Sequence, residues 1–249
     1  MRDVVAGHLE GRVPSCPEWD IADLVRHVGE VYLHKVEMMR HGAHPEGWPP
    51  AVFKQEEPVG LLTRGYGELR AEFAARKPTE FSKTWYDPDQ TVGFWIRRMA
   101  QETVIHRIDA ELGAGAPVAP VPDDLAVDGI DELLKVFVAY DFSKWPEDFT
   151  EALKNSPGRA FLIRTETGAG TPSVSWLVKT APDYLTVEGG PGEELAGTAA
   201  PDVTVSGSPA DILRWAWNRE TPEAASPVRI EGTTEALTEF RQCVVEATQ

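Results

Sequence analysis

Apolar residues in the first half of the chain recur at helical spacing, whereas in the second half they alternate with polar ones. The set Ile21, Leu24, Val25, Val28, Val31 and Tyr32 falls at intervals of three and four, which gathers one stripe on a helix. Asp20 precedes it as an N-cap with Asp23 three residues on, so this helix starts at residue 21 and runs to about residue 40. "HPEGWPPAVF" holds too many prolines and glycines for regular structure and reads as a loop. From about residue 58 to 76, Val59, Leu62, Tyr66, Leu69 and Phe73 mark a second helix, stopped by Lys77-Pro78. "FSKTWYDPDQTV" reads as an extended or turn connection. A third helix covers residues 92–112 and ends at Gly113, with "AGAPVAP" behind it. A fourth covers residues 123–140, with Leu125, Ile130, Leu133, Leu134 and Phe137 inward. Four helices of this length joined by loops predict a helical bundle.

Beyond "SKWPEDFTEALKNSPG" the period changes. Residues 160–167, 173–179 and 184–188 form alternating or β-branched runs separated by Gly, Pro and Asp, the pattern of three antiparallel strands. "PDVTVSG" reads as a fourth strand and "VRIEG" as another, short one. "SPADILRWAWNRE" opens a helix with Ser208 as N-cap and Pro209 at the first helical position. "TTEALTEFRQCVVEA" closes the chain as a helix. The expected architecture is therefore a four-helix bundle over residues 1–145, followed by a small α+β domain with an antiparallel sheet over residues 146–249.

A length of 249 residues suits two such domains. Lys and Arg number 24 against 40 Asp and Glu, a net charge of −16. That balance argues against nucleic acid or an anionic membrane as partner, because both require a basic footprint. The two cysteines, Cys16 and Cys243, stand far apart and in no metal-binding pair, so a disulfide framework is not indicated and a reducing cytoplasm is expected. No signal-peptide core and no apolar run of about 18 residues is present.

The candidate chemistry lies on the third helix, in "RRMAQETVIHRIDAELG". Glu102 and His106 are four apart and leave the same helix face, where a carboxylate and an imidazole can share one divalent metal. Two ligands hold a metal poorly, so a third must come from another helix. His27, between Leu24 and Val28 on the first helix, is one candidate. A His2Glu set leaves a coordination position open, and Asp109 three residues past His106 could hold that imidazole or an arginine. His27, Glu30 and His34 of "HVGEVYLH" form a rival set on one helix. On spacing alone these polar side chains are more often hydrogen-bonded core or boundary residues than metal ligands. There is no G-x-S-x-G elbow, phosphate loop or dinucleotide fingerprint, and no H-E-x-x-H with its paired base. Cys16 sits before the first helix, where "PSCPEW" reads as a packed approach. Trp19, Trp85 and Trp95 read as core or pocket wall.

"VPSCPEWDIADLVRHVGEVY" together with "TVGFWIRRMAQETVIHRIDAELG" resembles the actinobacterial maleylpyruvate isomerase family, whose characterised type uses mycothiol. The resemblance implies a DinB-like bundle with a divalent metal, zinc in the typical case, on His27, Glu102 and His106. "PDVTVSGSPADILRWAWNRE" with "VRIEG" resembles the family's sterol-carrier-like C-terminal domain. There the resemblance implies a substrate-recognition role for Arg219, with Arg214 on the same helix as a rival and helix capping as the plainer account. It further implies a low-molecular-weight thiol as cosubstrate and an electrophilic small molecule as substrate; a monomer or homodimer is expected. Isomerisation, thiol transfer to another acceptor, and binding without turnover all stay open, as do hydrolysis and metals other than zinc.

Overall fold

The computed structural model describes residues 1–166, 172–195, 200–220 and 227–248. The chain divides into two compact units, Met1–Ala119 and Pro120–Gln249.

The first unit holds a short helix α1 (Arg2–Val5) and three long ones, α2 (Ile21–His41), α3 (Pro58–Ala75) and α4 (Val92–Gly113). Helix α2 starts where its sequence directs. The Asp20 carboxylate accepts from the Asp23 backbone N–H, and the Asp23 carboxylate accepts from that of Asp20. It extends one residue past the expected end, through His41, because Gly42 takes the left-handed conformation (φ 67°) and its N–H caps the Met38 carbonyl. The expected loop after α2 contains a 3₁₀ turn at Ala51–Gln55, held by Arg26, whose guanidinium donates to the carbonyls of Phe53 and Glu56.

Helix α3 packs through Leu61, Leu62, Gly65 and Leu69. Tyr66, expected inward, is half exposed. The core face is rotated because α2 and α3 cross at two glycines: a Cβ on Gly65 would lie 2.7 Å from the Gly29 carbonyl, and one on Gly29 2.9 Å from the Leu62 nitrogen. Helix α4 is capped by the Thr91 hydroxyl and buries Phe94, Trp95, Met99, Ile105 and Ile108. Trp95 is fully enclosed, and its indole N–H reaches the Ser82 hydroxyl and the Lys83 carbonyl.

The fourth expected helix falls within the second unit. It begins as α5 (Asp123–Glu132) and continues as a π-helical stretch over Leu133–Tyr140. The wider turn moves the buried set from the expected Phe137 to Val136 and Val138. Short helices α6 (Asp141–Lys144) and α7 (Thr150–Leu153) lead into strands β1 (Arg159–Thr165), β2 (Ser175–Ala181), β3 (Tyr184–Gly189), β4 (Val203–Gly207) and β5 (Arg229–Gly232). The expected first strand reached Thr167, which lies outside the described residues.

The sheet order is β3-β2-β1-β4-β5. The antiparallel expectation is corrected here: β1 pairs with β4 in parallel, Phe161 opposite Val203 and Ile163 opposite Val205, so the sheet is mixed. The alternating apolar runs mark which face is buried but carry no signal for strand direction. Helices α8 (Pro209–Ala216) and α9 (Thr234–Ala247) complete the unit, and Phe161 stacks on Phe240 at 5.2 Å between ring centres. Within this core the Glu239 carboxylate accepts from the hydroxyls of Ser156 and Thr180 and from the Arg159 guanidinium.

Candidate metal centre

Helices α2 and α4 bring three of the expected side chains together. Glu102 Oε1 lies 3.2 Å from His106 Nε2 and 3.6 Å from His27 Nε2. The two imidazoles meet edge to face, 5.2 Å between centres. One donor atom from each of His27, Glu102 and His106 lies within 4.8 Å of the other two, the one such group among the described residues. Glu102 and His106 are one turn apart on α4, and His27 reaches them from the second turn of α2. The rival Glu30 and His34 are not joined: Glu30 borders an open cleft with Trp19, Arg26 and His27, whereas His34 packs against Trp48 and His44.

The surroundings fix the orientation of these groups. Asp109 is wholly buried, and its Oδ2 accepts from His106 Nδ1 at 2.9 Å, which turns Nε2 toward Glu102. The other oxygen of Asp109 accepts from the Ser15 hydroxyl at 2.5 Å. Arg98, one turn before Glu102, donates to Glu102 Oε2 at 2.5 Å and leaves Oε1 facing the imidazoles. The Trp19 ring lies 4.9 Å from that of His27. Arg98 had a local signal, its four-residue spacing from Glu102. Ser15 had none, being 94 residues from Asp109.

Charge at the centre is strongly coupled. Burial works to raise the Glu102 carboxyl, but hydrogen bonds from His106 and His27 and the Arg98 charge hold it well below the usual carboxylate range. Burial likewise works to lower His106, yet Asp109 and Glu102 outweigh it and push the imidazole up to about 9. Lys35 stands over the face of Trp95, 4.9 Å from the ring centre. Burial lowers its amine to about 8, with Glu102 opposing and Arg98 assisting.

Two imidazole nitrogens and one carboxylate oxygen suit a divalent cation with an open position. A carboxylate on the far nitrogen of a ligating histidine is the usual support of such sites, and Asp109 stands there on His106. The residues present therefore fit a metal ion. Without one, Asp109 and Glu102 both favour the protonated form of His106.

Arg219 lies in the second unit, just past the end of α8. Its guanidinium donates to the Trp217 carbonyl at 2.7 Å and lies 5.8 Å from that ring's centre. Trp217 is the C-cap of α8, so this contact supports the helix end.

Fold and site define a two-unit protein whose helical half carries a donor set for a divalent metal. Comparison with known families supplies the rest. Residues 1–111 match the mycothiol maleylpyruvate isomerase N-terminal domain, and residues 124–239 match the C-terminal domain of the same family. The chain belongs to the mycothiol maleylpyruvate isomerase family. No curated protein matches it. Among solved structures, sterol carrier protein 2 like 2 from Aedes aegypti is similar at 22% identity, covering 58% of this chain and 96% of that one with a TM-score of 0.26. Among the described residues, no helix is long and apolar enough to cross a membrane.

Proposed function

We propose that this chain is a metal-dependent isomerase that uses mycothiol or a similar low-molecular-weight thiol as cosubstrate, and that it works in the cytoplasm. The observation that carries the reading is the convergence of His27, Glu102 and His106 at the positions implied by the family resemblance. His27 Nε2, Glu102 Oε1 and His106 Nε2 would hold the cation, zinc by that resemblance. When bound, the cation supplies a positive centre that favours a thiol, of ordinary pKa about 8.5, in its thiolate form.

The chain's own groups prepare this site. Asp109 keeps the His106 proton on Nδ1, so Nε2 is the nitrogen offered inward. Arg98 occupies one oxygen of Glu102 and offsets its charge while the other faces the imidazoles. Trp19 covers one side of His27, and the cleft bounded by Arg26, Asp23 and Glu30 gives that histidine a path to solvent.

In the overall reaction the thiolate sulfur adds to one carbon of a conjugated cis double bond. The bond becomes single and rotates, and elimination of the same thiolate returns the trans isomer with the thiol regenerated. Arg219 is the side chain we assign to recognition of a substrate carboxylate. The family match over residues 124–239 and its position at the end of α8 support this. The C-terminal unit is proposed to be sterol-carrier-like, as the sequence resemblance implies.

The test is incubation of metal-loaded protein with mycothiol and maleylpyruvate, following the trans product and the free thiol. The reading predicts trans product with thiol concentration unchanged. Accumulation of a thioether would replace isomerisation by thiol transfer, and metal uptake without either product would leave a binding protein. Arg219→Ala is expected to raise KM for the carboxylate substrate with metal content unchanged.

A further inference from the structure

The segment before α2 does more than lead into the helix. Two glycines let it lie directly on the end of α4: a Cβ on Gly11 would meet the Gly113 carbonyl at 2.6 Å, and one on Gly113 would meet the Arg12 carbonyl at 3.1 Å. From that anchor residues 13–19 fold into consecutive turns. The Cys16 N–H bonds the Val13 carbonyl, the Trp19 N–H bonds that of Cys16, and the Val13 N–H bonds that of Trp19. These bonds hold the backbone of the turn in place. Two of its side chains point to the two histidines of the centre, Ser15 through Asp109 to His106, and Trp19 by its ring to His27.

We infer that Ser15 is a positioning residue for the metal centre, fixing the Asp109 carboxylate so that His106 presents Nε2 to the metal. The deduction rests on the metal reading given above. Its geometry is a chain of three groups. The Ser15 hydroxyl donates to Oδ1 of Asp109, and Oδ2 of the same carboxylate accepts from His106 Nδ1. A carboxylate with both oxygens engaged cannot rotate about its terminal torsion to offer the imidazole a poorer geometry. Removing the hydroxyl takes a short-range donor from Oδ1 inside a wholly buried site, and the carboxylate is held less tightly in the orientation that engages His106. The ring orientation of His106 then loosens. Loss of the group that directly holds a ligating histidine, Asp109 here, is typically worth about 10- to 100-fold in metal affinity, and Ser15 acts one group further out.

The experiment is a zinc titration of metal-stripped full-length protein against a competing chelator, repeated with cobalt to read the visible ligand-field bands. Four proteins are compared: wild type, Ser15→Ala, Ser15→Thr and Pro14→Ala, the last an exposed neighbour on the same turn. Ser15→Ala is expected to weaken zinc binding by up to about 10-fold, the lower end of the range for a direct partner, and to shift the cobalt bands. Ser15→Thr, which keeps a hydroxyl, and Pro14→Ala are expected to match wild type in affinity and spectrum. Wild-type affinity in Ser15→Ala overturns the inference. So does equal weakening by Pro14→Ala, which would make the effect one of turn stability. Wild-type protein that takes up no metal fails the metal reading itself, a result distinct from both.

Discussion

Helices α2 and α3 touch backbone to backbone at Gly29 and Gly65, and this contact sets where His27 stands. Changing Gly65 to Ala tests it against Gly67→Ala on the same helix. Both substitutions gain about 1 kcal/mol of helix propensity. Gly67 faces open space, with nothing within 4 Å of an added Cβ. At Gly65 the Cβ would stand 2.7 Å from the Gly29 carbonyl oxygen, where ordinary contact begins at 3.4 Å, so the helices must part by something approaching 3.4 − 2.7 = 0.7 Å. Overpacking of this kind costs about 1–3 kcal/mol. The expected net effects are a gain of about 1 kcal/mol for Gly67→Ala and a loss of up to about 2 kcal/mol for Gly65→Ala. In a unit of this size that separates the two melting temperatures by roughly 4–12 °C, read by helical circular dichroism. Because α2 carries His27, Gly65→Ala should also weaken metal uptake and Gly67→Ala should not. Equal or higher stability in Gly65→Ala would refute the close crossing.

Three further outcomes follow from the charges. His106 in the metal-free protein has its pKa raised from 6.5 to about 9, so its contribution to stability is fully present below pH 6.5 and is lost as pH rises through 9. Metal competes with that proton, so zinc affinity should rise with pH across the same window, and flat affinity would contradict the pairing. Lys35 is lowered to about 8, so its charge weakens the fold below that pH; Lys35→Met should melt higher near neutrality, with the advantage shrinking toward pH 10.5 in thermal scans. Glu239→Ala removes the acceptor of Ser156, Thr180 and Arg159 inside the C-terminal core and should cost about 3–5 kcal/mol in denaturant unfolding.

Much of the helical half was legible because its signals are local. Asp20, Asp23 and Gly42 bound α2 through backbone bonds within one turn, and Glu102 and His106 share a face by the period of the helix alone. What was not legible depends on distant partners. Tyr66 fits the apolar stripe of α3, yet the glycine crossing turns it outward, and no period records a missing Cβ. The π-helical stretch after Glu132 shifts the buried face by widening the turn, although Leu133–Tyr140 reads as ordinary helix. The parallel pairing of β1 with β4 joins strands about forty residues apart, beyond any turn signal. Ser15 entered the site in the same way, by tertiary approach at Gly11 and Gly113.

The central claim is that His27, Glu102 and His106 bind one metal ion together. It is tested most directly by metal content after exposure of stripped protein to zinc, with the ligand sphere read by X-ray absorption. One zinc per chain with two imidazoles and a carboxylate in wild type, falling to none in His27→Ala/His106→Ala, is the predicted result. Zinc retained by the double variant, or absent from wild type, would contradict it.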